Sequence, residues 1–134
     1  MGADIHMVLE RQLPNGQWIT TNTLSPHESL KGWSRPACSA RNYRLFAKLA
    51  GVRGDGPEPK GLPADISETA KYLADADGLD GHSQSWMLVE EALPLFVECA
   101  PDLTEFARGY PADWFFGLDA KDVADSRIVF WFDN

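Results

Sequence analysis

The sequence predicts an α+β fold: a small antiparallel sheet that includes an N-terminal hairpin and the C-terminal strand, packed with helices and long loops. Three observations predict it. Residues 3–12 alternate apolar and polar and run into Pro14-Asn15-Gly16. Residues 128–132 form an unbroken, β-prone apolar run. Between the two lie segments of helical period separated by Gly- and Pro-rich stretches.

In the opening segment Ile5, Met7 and Leu9 share one face and Asp4, His6, Val8 and Glu10 the other, because side chains alternate across a strand. Asn15-Gly16 supplies the two positive-φ residues of a type I′ turn, and Gln17 to Thr23 is the returning strand. Residues 24–38 hold Pro26, Gly32 and Pro36 and read as a loop anchored by Trp33. Ser39 then caps a helix over Ala40 to Ala50 that Gly51 closes. Its broad apolar face leaves Arg41, Arg44 and Lys48 on the remaining side. Gly51 to Pro63 is a loop. Its Gly54-Asp55-Gly56 follows a helix rather than a strand and lacks the rest of a phosphate-binding fingerprint.

Asp65-Ile66-Ser67 leads into a short helix, Glu68 to Ala74, and Asp75 to Gly81 is irregular. Ser85 to Leu88 precedes a helix whose start, Val89-Glu90-Glu91-Ala92, places acids at its positive end. Pro94 is either carried in its early turns or splits it. Asp102 to Arg108 is a further helix, and Tyr110 to Phe116 an aromatic loop. Ile128 to Phe132 is a strand covered on both faces. With no internal repeat, 134 residues make one domain, 1–134.

A composition of 44% hydrophobic and 24% charged residues excludes a disordered tail, a collagen-like fibre and a disulfide scaffold. No apolar run approaches the roughly 20 residues of a membrane helix. The first ten residues lack a signal-peptide pattern, and Cys38 and Cys99 have no metal-ligand spacing, so a reducing cytoplasm is expected. The net charge of −8 is uneven: residues 1–67 carry eight bases against six acids, residues 68–134 four against fourteen. Such a chain is repelled from duplex nucleic acid, whereas its basic cluster could hold a small anion. Alternatively, the segregation only maintains solubility.

Two Asp-x-His pairs, Asp4-Ile5-His6 and Asp80-Gly81-His82, are the leading chemical candidates. On a strand, Asp4 and His6 point together, so a carboxylate can fix an imidazole tautomer or both can ligate a metal. The second pair is expected in a loop continued by Ser83. Were the pairs to converge, Asp4, His6, Asp80 and His82 would offer a metal site with an open position. His6, Asp80 and His82 are then the catalytic candidates, and Arg41, Asn42, Arg53 and Ser83 complete a ligand-binding set. No cofactor is predicted beyond such a divalent metal. The competing reading makes His6 a hydrogen-bonded sheet residue and Asp80-Gly81 a turn, with His82 as a cap.

Arg41, Arg44 and Lys48 suit a phosphate or carboxylate, but a solvated face, or ion pairs with acids of the second half, is the preferred reading. No Gly-x-Ser-x-Gly elbow occurs, and Asp80, His82 and Ser83 are too close in sequence to align as a triad. Cys38, near Arg35 and Arg41, reads as an inert buried thiol. Trp114-Phe115-Phe116 is either a partner surface or core.

Several blocks carry a resemblance: Asp4-Ile5-His6; Arg41 to Arg53 (RNYRLFAKLAGVR); Gly61 to Ser67 (GLPADIS); Asp80 to Trp86 (DGHSQSW); and the closing Arg127 to Asn134 (RIVFWFDN). Together they span nearly the whole chain, which resembles a family of uncharacterised proteins carried by bacteriophages and prophages. The resemblance implies a context and no mechanism: an accessory protein in the host cytoplasm, directed at the host through counter-defence or host modulation. It would bind a host protein or a nucleotide-like, phosphorylated ligand through its polar site. A metal-dependent hydrolase using both Asp-x-His pairs, and an acidic protein-binding inhibitor without chemistry, are the alternatives.

Overall fold

A computed structural model describes residues 2–23, 42–99 and 111–133 of the chain. Its strands are β1 (Asp4–Gln12), β2 (Trp18–Thr23), β3 (Gly81–Leu88) and β4 (Ser126–Asp133). They form one antiparallel sheet in the order β2-β1-β4-β3. The helices are α1 (Tyr43–Ala50), α2 (Glu68–Ala76), α3 (Val89–Cys99) and α4 (Pro111–Phe116), with 3-10 turns at Gly78–Asp80 and Ala120–Asp125. The expected α+β class, N-terminal hairpin and C-terminal strand are all present.

The sheet has two covered faces, and the register shows which residue meets which layer. Opposed residues of an antiparallel pair project to the same side. Ile5, Met7 and Leu9 lie opposite Phe132, Phe130 and Ile128. These pack with Leu45, Phe46 and Leu49 of α1, Phe96 of α3, and Phe115 and Phe116 of α4. Phe96 sits between the last two rings, 5.6 Å from Phe115 and 4.9 Å from Phe116 in edge-on contacts. On the other face Val8, Val129 and Trp131 meet Ala70 and Ala74 of α2, with Leu62, Ile66, Leu73 and Trp86 around them. Two alanines one turn apart let that helix lie close to the strands. With both faces covered, β4 reads as continuous apolar sequence.

The hairpin closes differently from expectation. Leu13 and Gly16 are joined by a Gly16 N–H to Leu13 carbonyl bond of 2.8 Å. Pro14 holds φ negative and Asn15 is not in the left-handed region, whereas Gly16 has φ +89°. The loop is therefore a type I turn over Pro14-Asn15 followed by a glycine bulge, because a type I′ turn over Asn15-Gly16 would require Pro14, which has no N–H, to pair with Gln17.

Helix α1 begins at Tyr43 rather than Ala40, with the Asn42 side chain accepting from the Leu45 N–H at 3.1 Å. Ser39 lies outside the described residues. Gly51 ends the helix as expected, in the left-handed conformation. Helix α2 starts at Glu68 under a Ser67 cap and runs two residues past Ala74. Helix α3 continues unbroken through Pro94.

Two expected loops are regular structure. Gly81–Leu88 is the edge strand β3, whereas the sequence places Asp80 to Ser83 in a loop and Ser85 to Leu88 just before a helix. Residues 111–116 are helix rather than aromatic loop, with Phe115 and Phe116 fully buried in the core. Trp33, Cys38 and the expected helix over Asp102 to Arg108 lie outside the described residues. Among the described residues, no helix is long and apolar enough to cross a membrane.

Candidate functional site

His6 is placed by strand parity on the α2 side of the sheet, directly opposite Trp131. Its ring stacks on that indole with centroids 5.9 Å apart and an interplanar angle of 11°. Two carboxylates converge on its Nε2. Asp133 Oδ2, at the end of β4, stands 2.5 Å away, and Asp77 Oδ2, in the residue that caps the C-terminus of α2, 3.9 Å away. Trp131 Nε1 donates to the same Asp77 oxygen. One indole thus supports the imidazole by stacking and a carboxylate by hydrogen bonding. The three side chains are 20% (His6), 28% (Asp77) and 26% (Asp133) exposed, so the group opens to solvent while its supports are buried.

Asp4 lies opposite Asp133, on the face that carries His6, as the i, i+2 spacing predicts. The second Asp-x-His pair goes elsewhere. His82 lies opposite Phe132, the neighbour of Trp131 on β4. Successive residues on a strand face opposite ways, so His6 and His82 project from opposite faces of the sheet. His82 stacks on Phe132 at 6.2 Å, and its Nδ1 is 2.9 Å from Ser83 Oγ. Ser83 has φ +55° within the register shift between His82 and Ser85. Asp80 is exposed at the end of its 3-10 turn. The two pairs, whose convergence on one ion the sequence left open, do not converge: a one-residue offset in pairing register separates the imidazoles.

The basic candidates have structural roles. The Asn42 amide donates to the Cys99 carbonyl at 3.2 Å while its oxygen caps α1. Arg53, itself at φ +60°, lies over the Tyr43 ring, 5.3 Å from its centroid. Arg44 and Lys48 both reach Glu98 Oε1, at 3.1 and 3.3 Å. That is the ion-pair reading of this face, with an acid of the second half as the partner. Arg41 lies outside the described residues. Burial pushes the Cys99 thiol up from its ordinary value, which disfavours the reactive thiolate.

A second polar group is buried outright and was not singled out in the sequence. Glu10 and Arg127 are paired across β1 and β4. Arg127 Nε donates to Glu10 Oε1 at 2.6 Å, and Glu10 Oε2 accepts from the Ser67 N–H at 2.7 Å. The guanidinium lies 4.0 Å from the Trp18 ring centroid and 5.5 Å from that of Trp86. Its outer nitrogen donates to Asp65, and this hydrogen bond holds the Asp65 carboxyl below its ordinary range. The network fastens residues 65–67, and so the start of α2, to the sheet. A charge at an inward position of each strand was the available signal.

An open groove of about 520 Å³ lies beside the hairpin, lined by Arg11, Gln12, Leu13, Pro14, Gly16 and Asp125. It adjoins the end of β1 remote from His6, about 17 Å along the strand.

No protein-family model, curated protein or solved structure matches the chain.

Proposed function

We propose that the protein is a phage-type accessory protein directed at the host, and that it acts by binding a cationic group at His6, Asp77 and Asp133. The observation that carries the binding reading is the approach of two carboxylate oxygens to one imidazole nitrogen in a group that faces solvent. A phosphate would meet two like charges there, and of the bases expected to receive one, Arg44 and Lys48 are already engaged by Glu98. The charge pattern therefore favours a cation, presented free or by a host partner, over the phosphorylated ligand considered from sequence. The host-directed part of the reading rests on the motif resemblance alone.

Following the His6 imidazole by NMR during titration of the full-length, untagged chain tests this. The panel is Zn2+, Mn2+, Mg2+, Ca2+, methylammonium and guanidinium. The expected result is a saturable response at His6 to at least one cation, weakened in Asp77→Asn and Asp133→Asn. Silence of His6 towards every member sinks the reading.

A further inference from the structure

We infer that the cation is a divalent metal ion held by His6 Nε2, Asp77 Oδ2 and Asp133 Oδ2, an inference that rests on the binding reading above and names its ligand. The donors come from three separate parts of the fold: a strand, the end of a helix, and a second strand. One ligand atom from each lies within 4.8 Å of the other two. An ion with bonds of about 2.1 Å spaces its donors roughly 3.0–3.4 Å apart, in octahedral or tetrahedral geometry. The 2.5 and 3.9 Å separations from Nε2 bracket that range. Shifts of roughly 0.5 Å would bring each of these two separations into that range, and the Asp77 and Asp133 oxygens, within 4.8 Å of each other, would close on the same ion.

Trp131 stacks on His6 and donates to Asp77, and outer contacts of this kind help to orient metal ligands. Three protein donors leave coordination positions for water or for a group presented by a partner, and the partial exposure of all three side chains leaves those positions reachable. One nitrogen with two carboxylates is a mixed donor set. It favours Zn2+ or Mn2+ over Ca2+, which prefers six to eight oxygens, and over Mg2+, which keeps most of its water. Because the donors join β1, the end of α2 and β4, the ion would bind the folded chain in preference to the unfolded one.

Titration calorimetry on the untagged chain, with thermal unfolding in parallel, tests the inference. One equivalent of Zn2+ or Mn2+ is expected to bind. The Tm is expected to rise by roughly 5–10 °C at an ion concentration about 100 times Kd. Asp77→Asn and Asp133→Asn are expected to weaken binding at least about tenfold, and His6→Ala to abolish it, while His82→Ala binds as the parent does. Metal-free Tm values and amide NMR spectra show whether each variant is folded. Binding that survives in folded Asp77→Asn and Asp133→Asn overturns the ligand set. If methylammonium or guanidinium moves His6 while no metal binds, the inference fails and the binding reading stands; if nothing moves His6, both fall.

Discussion

Glu10 and Arg127 face each other across the two middle strands, 2.6 Å apart, with side chains 0% and 3% exposed. A charge removed from water this completely is tolerable only while its partner remains. Arg127→Leu should therefore cost about 3–5 kcal/mol, because it strands the Glu10 carboxylate between strands. The double variant Glu10→Leu/Arg127→Leu should recover most of that loss. Urea unfolding of the parent, both single variants and the double variant measures the coupling; additive losses would show that the pair does not act as a unit.

Asp65, at the exposed edge of the same network, should give a small and pH-limited effect. The Arg127 hydrogen bond lowers its folded pKa below the ordinary 3.8 that the unfolded chain retains. Its contribution is therefore present above that value and is lost as pH falls through the folded pKa. Its side chain is 63% exposed, so solvent screening keeps the contribution under about 1 kcal/mol. The stability difference between the parent and Asp65→Asn should be modest at pH 7 and should shrink as pH drops below 3.8. A difference that grows in acid would contradict this assignment.

Gly56 is held against the end of α1 with no room for a side chain: a Cβ there would meet the Ala47 carbonyl oxygen at 1.7 Å. Backbone cannot yield as a flexible side chain does. Gly56→Ala should cost about 3 kcal/mol or more by forcing the 51–57 loop off the helix. Gly54→Ala, whose Cβ would meet only the Ala47 methyl at 3.0 Å, should cost less. Thermal unfolding of the two variants orders them directly.

Trp131→Phe should keep the strand packed but remove the indole N–H that donates to Asp77. If the metal site is built as inferred, its affinity for Zn2+ should fall about tenfold. The fold should meanwhile lose about 1–3 kcal/mol, because the smaller ring leaves part of the buried indole's space unfilled. Calorimetry on the folded variant provides the affinity, and unchanged binding would assign Trp131 a packing role only.

Local chemistry explains what could be read before folding. The alternation of β1, the apolar run of β4 and the Gly51 stop are all written within a few neighbouring residues, and each appears where expected. Strand β3 was missed because Gly81 to Gln84 is small and polar, and its pairing with β4 supplies what its composition does not. The aromatic segment differs in the opposite sense: Phe115 and Phe116 belong to a helix that buries them. His6 was legible as a candidate because parity sets its face. Asp133 was not, since it lies 127 positions away and reaches His6 only through the β1–β4 register. The separation of His6 from His82 has the same origin, because a one-residue offset between strand partners is invisible until the strands pair.

The strand order carries a consequence for biosynthesis. Among the described elements, β4 is the last to leave the ribosome, yet it occupies an interior position between β1 and β3. Until it emerges, the earlier hairpin and β3 have no common neighbour, and each presents backbone that a chaperone, or another nascent chain, could engage. A released chain that stops before residue 126 should thus be protease-sensitive, and restoring the eight residues of β4 should convert it to a resistant form.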